Sequence, residues 1–214
     1  MKFHSDGDIE TELTERYYTS HYEVWLKGHT GFLAEDNLYG TDLAEKFIIT
    51  KDDIVLEIGT YNGLGTARLC ELAKHVIAVE ADKRNYELMV LNTKGLNVTP
   101  INKAVSDKKG ILVFYEGKHP QAKSLNKELL NIESEYEIET DCIDNFVFEA
   151  TYVTLEINMG ELKALEGMPN LLKNYHPRII LRGHNSENVK NIKSFLERFG
   201  YKIHIGKRKR IYAW

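Results

Sequence analysis

Ile54-Val-Leu-Glu-Ile-Gly-Thr-Tyr-Asn-Gly-Leu-Gly-Thr66 is the stretch of this sequence that decides the fold. A short apolar strand runs into a loop with three glycines, and a helical pattern follows the loop. Glycine permits positive φ and lets a ligand approach the backbone closely. The start of a helix supplies free amide donors. The stretch therefore predicts a strand, loop and helix that cradle part of a nucleotide-like ligand.

The spacing of the glycines separates this loop from two other nucleotide-binding loops. A P-loop needs a Lys and a Ser or Thr directly after its last glycine, and that pair is missing here. A dinucleotide fingerprint reads G-x-G-x-x-G, whereas this loop reads G-x-x-x-G-x-G. Glu57, two residues before Gly59, would repel a pyrophosphate but tolerate a cation such as an amino group or a sulfonium.

A second acid follows the next predicted strand. Glu80 ends the run Val76-Ile-Ala-Val-Glu80, where a carboxylate can accept hydrogen bonds from both hydroxyls of a ribose. Each feature is common alone, but together on one βαβ unit they point to an adenosine-containing ligand. The next strand exits through Ile101-Asn-Lys-Ala-Val-Ser-Asp107, which either borders an adenine ring or is an ordinary strand-to-loop exit.

The rest of the chain alternates strands with helices, which predicts a parallel sheet covered by helices on both faces. Ligands bind at the carboxyl ends of the strands in such sheets. The polar segment 116–139 has no clear assignment. The predicted strands are 53–58, 75–80, 97–102, 111–115, 151–157, 178–182, 201–205 and 210–214, the last two as an antiparallel hairpin, and the predicted helices are 65–74, 83–94, 161–175 and 187–199.

Composition excludes several classes of protein. The chain has 214 residues, of which 43% are apolar and 28% charged, so it can bury a core and is not disordered. Its longest run without charged residues, 58–67, is too short for a membrane helix of about 20 residues. The N-terminal residues lack the apolar core of a signal peptide. Cys70 and Cys142 form no CxxC pair, which favours reduced thiols and a cytoplasmic protein.

Charge and histidine spacing limit the partners. The net charge of −4 disfavours nucleic acid. The exception is Lys207-Arg-Lys-Arg210, which is either a solvated hairpin turn or a phosphate or RNA patch. No HxH or HExxH pattern is present, so we predict no metal site.

Three successive patterns resemble the class I methyltransferases that depend on S-adenosylmethionine: E-x-G-x-x-x-G-x-G, V-x-A-V-E and N-x-A-V-S-D. The resemblance sharpens to the FkbM type at Ala104-Val-Ser-Asp-Lys-Lys-Gly-Ile-Leu-Val-Phe114 and at Thr154-Leu-Glu-Ile-Asn-Met-Gly-Glu-Leu-Lys-Ala-Leu-Glu-Gly167. The second segment is similar to the family's K-I-D-V-E-G-A-E-x-x-V-L-x-G. The segments 177–181 and 199–201 match the family's fifth strand and closing G-Y. The resemblance covers about residues 50–205.

This resemblance implies a fold and a cofactor. The fold is α/β, with a doubly wound, Rossmann-like, mostly parallel seven-stranded sheet, an antiparallel C-terminal strand and an N-terminal helical extension. The cofactor is S-adenosylmethionine. By the resemblance, Glu57, Gly59, Thr60, Tyr61, Asn62 and Gly63 surround its methionine part, Glu80 and Ala81 hold the ribose, Lys103 and Ala104 border the adenine, and Glu156 lies near the transferred methyl.

We divide the chain into an N-terminal helical extension, residues 1–50, and an S-adenosylmethionine-binding methyltransferase domain, residues 51–214. Apolar residues recur at helical spacing within 9–25, and a second helical segment spans 36–48. The extension is dense in aromatic residues. It is either a helical cover over the core or a lid over the acceptor pocket.

Departures from the family pattern fall on the acceptor side. Thr154 replaces the family's Lys, Asn158-Met159 replaces Glu-Gly, and Arg182-Gly-His184 replaces an acid-x-His ending. These changes indicate either a different acceptor or a lost activity. Glu156, Glu161 and His184 are candidate bases by position, and Asn158 could orient an acceptor hydroxyl.

The leading prediction is O-methylation of a small molecule or glycan, without a membrane or nucleic-acid partner, and we allow for a homodimer. An RNA or protein methyltransferase and a cofactor-binding module without turnover stay open. A nicotinamide-dependent oxidoreductase is disfavoured by the glycine spacing and by Glu57.

Overall fold

The computed structural model describes residues 36, 38, 40–117, 123–124 and 132–214. The helical segment predicted within 9–25 lies outside the described residues, so the division at residue 50 stays a prediction. The second predicted segment contains a short helix, Asp42–Lys46, which starts where the Thr41 side chain accepts a hydrogen bond from the Ala44 N–H. Phe47 follows this helix and is fully buried.

The main elements follow the predicted alternation. The described strands are β1 (Ile54–Ile58), β2 (His75–Glu80), β3 (Val98–Asn102), β4 (Ala104–Val105), β5 (Gly110–Gly117), β6 (Lys123–Ser124), β7 (Ile132–Asp141), β8 (Tyr152–Leu155), β9 (Arg178–Arg182), β10 (Ile203–Ile205) and β11 (Arg210–Ala213). The described helices are α1 (Asp42–Lys46), α2 (Leu64–Leu72), α3 (Lys83–Asn92), α4 (Glu161–Glu166), α5 (Pro169–Tyr175) and α6 (Ser186–Glu197).

The main sheet has seven strands in the order β10-β11-β9-β8-β1-β2-β3. Strands β9, β8, β1, β2 and β3 pair in parallel, and β11 pairs antiparallel with β9 and β10. The predicted doubly wound α/β fold is confirmed. The chain leaves β1 toward β2 on one side and returns as β8 on the other, so β1 lies at the switch point where such sheets bind ligands.

Side chains from neighbouring positions of one strand enter different cores. On β1, Val55 packs in one buried cluster and Leu56 in the other. On β8, Tyr152 and Val153 divide in the same way, and all four residues are fully buried. Because successive side chains of a strand point to opposite faces, the sheet is covered on both sides.

A second sheet was not predicted. It has the order β4-β7-β5-β6, and β7 lies largely in the segment that sequence patterns left unassigned. Phe114 of β5 lies opposite Tyr136 of β7, and their ring centroids are 5.5 Å apart. The Tyr136 hydroxyl donates to Oδ2 of Asp82 over 2.8 Å, which ties this sheet to the end of β2.

The helix predicted over 161–175 is two helices. A Cβ on Gly167 would lie 2.2 Å from the Ser106 carbonyl oxygen, so the chain needs a glycine at this approach. Pro169 then begins α5, because proline fits the first turn of a helix but not its interior. Asp144 accepts from the backbone N–H groups of Asn170 and Leu171 at the start of α5.

The C-terminal hairpin is confirmed, with residues 207–209 forming its turn. Within the described part of the chain, no helix combines the length and apolar character needed to cross a bilayer.

Candidate functional site

Three carboxylates meet at the carboxyl ends of the adjacent strands β8, β1 and β2. Glu57 is the next-to-last residue of β1, and Glu80 is the last residue of β2. Glu156 directly follows β8, and its backbone N–H donates to the Ile58 carbonyl over 3.1 Å. The sheet therefore brings together three acids that lie far apart in the sequence.

Glu57 is buried in a site that favours its neutral form. Its Oε2 accepts a 2.6 Å hydrogen bond from the Thr66 hydroxyl of α2. Burial raises the pKa of Glu57 to about 8, and the negative charges of Glu80 and Glu156 act in the same direction. A cation bound at this edge would offset these effects and stabilise the ionised carboxylate.

The glycine loop packs tightly against the rest of the fold. Gly59 has a φ of +86°, and a Cβ there would lie 2.2 Å from the Glu156 carbonyl oxygen. Gly63 has a φ of +79°, and its Cβ would lie 2.7 Å from Met89 of α3. Both glycines are therefore needed for contacts within the protein, in addition to any backbone approach by a ligand.

Glu80 holds the glycine loop against the start of α3. Its Oε2 accepts from the Tyr61 N–H over 2.8 Å, and its Oε1 accepts from the Asp82 N–H over 3.0 Å. Tyr61 has a φ of +52°, a left-handed conformation that is uncommon for a residue other than glycine. The acid predicted to bind a ribose thus also fixes the backbone beside it.

Two polar residues complete the loop. Asn62 is buried, and its carbonyl accepts from the Asn92 side chain over 2.7 Å. Thr60 is also buried, and its hydroxyl has no hydrogen-bond partner among the described residues. Buried polar groups are nearly always paired in folded proteins, so a polar ligand group at this loop would satisfy the Thr60 hydroxyl.

The predicted adenine-side residues lie where β3 and β4 meet the end of β2. The Lys103 N–H donates to the Glu80 carbonyl over 3.1 Å, while its side chain turns to Asp141 of β7, with Nζ 3.1 Å from Oδ2. Ala104 is buried in β4, and the Ala81 carbonyl accepts from the Asn102 side chain. Their role beside an adenine stays a prediction.

His184 and Glu161, which were predicted to lie on the acceptor side, form a hydrogen-bonded pair. Nε2 of His184 lies 3.0 Å from Oε1 of Glu161, whose side chain is fully buried. The same oxygen accepts from the N–H groups of Ile157 and Met159 in the loop after β8. Oε2 of Glu161 is buried without a hydrogen-bond partner among the described residues. Glu161 therefore organises both this loop and the histidine.

Asn158 and Met159, two of the departures from the family pattern, adopt left-handed backbone conformations with φ of +52° and +79°. Glycine would adopt these values more readily, so the loop keeps side chains at some conformational cost. Asn158 lies in the loop that Glu161 holds, and its role in orienting a hydroxyl stays a prediction.

Glu156, which directly follows β8, is exposed to solvent. Desolvation by the surrounding protein raises the pKa of its carboxyl, while the guanidinium groups of Arg182 and Arg210 and the nearby His184 lower it. Because Glu156 is exposed, its carboxylate is accessible to a ligand, and it interacts with the positive charges of Arg182 and Arg210.

A cavity of about 190 Å³ lies beyond His184. It is lined by Arg182, Gly183, His184, Arg208 and Lys209. The sequence indicated the basic turn and, separately, the Arg182-Gly-His184 segment, but not that the two meet, because the hairpin that carries the turn folds back onto the end of β9.

The described residues contain no group of three or more His, Cys, Asp or Glu side chains arranged to hold a metal ion.

Residues 53–203 match the model of a protein family described as the methyltransferase FkbM domain. The chain belongs to this FkbM methyltransferase family. The match covers both the glycine loop and the Glu161–His184 pair, and the family implies S-adenosylmethionine as cofactor.

Solved structures agree with the FkbM fold. The chain resembles the FkbM methyltransferase of Methylobacillus flagellatus KT with a TM-score of 0.62 and 13% identity, over 100% of this chain and 56% of that one. It also resembles a precorrin-6y C5,15-methyltransferase of Geobacter metallireducens GS-15, with a TM-score of 0.50 and 15% identity, over 79% and 84% of the two chains. At these identities the likeness concerns the fold alone.

One curated relative shares a shorter segment with this FkbM-family chain. It is the ribosomal RNA small subunit methyltransferase A of Lachnoclostridium phytofermentans, which is 45% identical over an alignment of 74 residues, and the match covers 32% of this chain and 26% of that protein. The chain thus spans less than two thirds of both this relative and the solved FkbM structure.

Proposed function

We propose that this FkbM-family chain binds S-adenosylmethionine at the carboxyl ends of β1, β2 and β8 and methylates a hydroxyl group of a small molecule or glycan. The observation that carries the proposal is the convergence of Glu57, Glu80 and Glu156 around the glycine loop. Three acids at the switch point of the sheet suit a ligand with a positive charge and a ribose.

The residues of the site fit this cofactor in two respects. The raised pKa of Glu57 makes the edge receptive to a cation, because a bound sulfonium favours the ionised carboxylate. The unpartnered Thr60 hydroxyl is a buried group that a polar ligand atom would satisfy. When bound, the cofactor supplies a methyl group on a sulfonium, which is open to in-line displacement.

The chain contributes orientation of the two reactants and removal of a proton. Glu80 and the loop that it holds would position the ribose, and Glu156 would face the region of the methyl. Methyl transfer depends on alignment of the reacting atoms. The hydrogen bond from the Tyr61 N–H to Glu80 fixes the backbone of the glycine loop and would therefore favour the reaction.

His184 is the proposed base. With Glu161 as the acceptor in this contact, Nε2 would carry the hydrogen and Nδ1 the lone pair of the neutral imidazole. Nδ1 would take the proton of the acceptor hydroxyl, which makes its oxygen a nucleophile toward the methyl group that the cofactor would supply, with the thioether as the leaving group. The buried carboxylate of Glu161 would then stabilise the imidazolium and hold its ring in place, which makes Glu161 a positioning residue.

Calorimetry with S-adenosylhomocysteine tests the cofactor part of this proposal. We expect saturable binding with one site per chain. A chain that instead binds a nicotinamide cofactor, detected by its absorbance, would contradict the proposal. Transfer of a labelled methyl group to a fraction of a cell extract would separate an active enzyme from a binding module without turnover.

An RNA acceptor is the second candidate. It is favoured by the 74-residue segment shared with a ribosomal RNA methyltransferase and opposed by the net charge of −4. RNA affinity that falls steeply with salt concentration would support it.

We also propose a cytoplasmic location, supported by the free thiols of Cys70 and Cys142.

A further inference from the structure

Opposite charges occupy the two ends of one edge of the main sheet. The acids lie at the carboxyl ends of β8, β1 and β2, whereas basic side chains lie at the carboxyl end of β9 and in the turn before β11. At the usual strand spacing, the ends of β9 and β1 are about 10 Å apart. The acidic members are Glu156, Glu57 and Glu80, and the basic members are Arg182, Arg208 and Lys209.

The basic side chains line a cavity whose walls are held by backbone contacts. Lys209 donates from Nζ to the His184 carbonyl over 2.8 Å, and its own carbonyl accepts from the Gly183 N–H over 2.9 Å. A Cβ on Gly183 would lie 2.3 Å from Val189 of α6, so only glycine allows this approach. The turn is therefore locked onto the end of β9, beside the histidine.

The turn carries arginine and lysine in a conformation that other residues adopt more easily. Arg208 and Lys209 have φ of +52° and +61°. Tight hairpin turns of this kind favour Asn and Gly, which tolerate positive φ. Arginine and lysine in this backbone conformation destabilise the turn relative to Asn or Gly. A binding role for their positive charges at the cavity would explain why the turn carries them.

Neighbouring basic residues differ in their partners. Arg210 forms a 3.1 Å salt bridge with Asp36, whose side chain is fully buried. Among the described residues, neither Arg182 nor Arg208 has a carboxylate oxygen within salt-bridge distance. A guanidinium group without such a partner offers forked donors to phosphate or carboxylate oxygens.

We propose that this cavity binds an anionic group, phosphoryl or carboxylate, carried by the methyl acceptor. The inference rests on the proposed methyl transfer and names the class of its acceptor. An anion held by Arg182, Arg208 and Lys209 places the rest of the acceptor next to His184, between the anion and the acidic end of the edge. A cavity of about 190 Å³ suits one such group with a few attached atoms.

The test is an NMR titration of the full chain with inorganic phosphate and, separately, with acetate. We expect saturable shifts of the Gly183 and His184 amide signals with at least one of the two anions, which also identifies the preferred group. Arg182→Gln and Arg208→Gln should each weaken this binding at least tenfold. Arg198→Gln removes the same charge at the other end of α6, where Arg198 stacks on Phe195, and should leave the binding unchanged.

Three outcomes would overturn the inference. The first is the absence of saturable shifts at Gly183 and His184 with both anions. The second is an equal loss of binding in Arg198→Gln, which would indicate a general charge effect. The third is binding of a 16-nucleotide RNA that is lost in Arg208→Gln and that phosphate does not displace, which would assign the basic groups to RNA.

Calorimetry with S-adenosylhomocysteine on the same samples separates this inference from the proposed function. Arg208→Gln should bind S-adenosylhomocysteine as the unmodified chain does. Anion binding in a chain that fails to bind S-adenosylhomocysteine would support the anionic cavity and contradict the methyltransferase proposal.

Discussion

The backbone N–H of Tyr61 donates to Oε2 of Glu80 over 2.8 Å and joins the glycine loop after β1 to the end of β2. The other oxygen of Glu80 accepts from the Asp82 N–H at the start of α3. One carboxylate thus connects two loops that the proposed cofactor would contact. Its removal should alter both stability and ligand affinity.

Glu80→Ala should lower the free energy of unfolding by about 1–3 kcal/mol, because the half-buried N–H of Tyr61 and the buried N–H of Asp82 lose a charged acceptor. It should also weaken S-adenosylhomocysteine binding at least tenfold. Chemical denaturation and calorimetry measure the two effects. Glu135→Ala, on the exposed face of β7, is the control and should change neither quantity. An unaltered affinity in Glu80→Ala would show that the ligand does not contact the end of β2.

Gly59→Ala should destabilise the fold beyond the cost of its backbone conformation, because its Cβ would lie 2.2 Å from the Glu156 carbonyl oxygen. Gly95→Ala is a matched control, with a φ of +82° and no atom within 4 Å of the added Cβ. We expect Gly59→Ala to lose about 2 kcal/mol more than Gly95→Ala in urea unfolding. Gly59→Val should abolish S-adenosylhomocysteine binding, whereas Gly95→Ala should retain it. Equal losses of stability in the two alanine variants would refute the close contact between the loop and β8.

Glu57 should make stability depend on pH. Its pKa is raised from 4.5 to about 8 in the folded protein. Between pH 4.5 and about 8 the folded state therefore binds a proton at Glu57 that the unfolded state has lost. Stability conferred by the neutral carboxyl is therefore lost as the pH rises toward 8 and changes little above it. Melting curves from pH 5 to 9 should show a decline in the unmodified chain that Glu57→Gln reduces. Parallel curves for the two proteins would contradict burial of an ionisable group at this position.

The same group should link cofactor binding to proton release. A bound cation favours the ionised form of Glu57, so affinity for S-adenosylmethionine should rise as the pH approaches 8. Calorimetry in buffers of different ionisation enthalpy measures the released proton. Glu57→Gln should bind without this release, and a release of the same size in that variant would assign the proton to another group.

His184→Gln should reduce transfer of labelled methyl by 10²–10⁴-fold, the usual range for loss of a general base. Its affinity for S-adenosylhomocysteine should stay within a factor of two, because the proposed role of His184 is toward the acceptor and not the cofactor. Glu161→Gln preserves the shape of the buried side chain and should reduce transfer less than His184→Gln does. Unchanged transfer in His184→Gln would exclude this residue as the base.

Local patterns were sufficient to predict the unit from β1 to β2. Its apolar strands, glycine loop and strand-end acid lie within about 30 residues, the length of a βαβ unit. Because the carboxyl ends of parallel strands lie at one edge of a sheet, the acids at the ends of β1, β2 and β8 are expected to share that edge, and the structure places Glu57, Glu80 and Glu156 there. Their roles toward a ligand stay predictions.

The second sheet was missed for a physical reason. Strand β7 carries glutamates on its exposed face, and this high content of charged residues is more typical of a loop than of a strand. The alternation of Tyr136, Ile138 and Thr140 with these glutamates was the available signal for a half-covered strand. Asp82 was missed as well, although an Asp before a helical run is a common N-cap.

The features that the sequence predicts depend on short-range interactions, and the features that only the tertiary structure decides depend on long-range ones. Periodicity, glycine spacing and strand-end acids act over a few residues, so the order of elements and the cofactor-side loop could be read from them. The hydrogen bond between His184 and Glu161, the locking of Lys209 onto Gly183 and the opposed charges along one edge join residues from separate elements. These contacts depend on which strands pair in the sheet and on how the helices pack against it, and only the tertiary structure determines that arrangement.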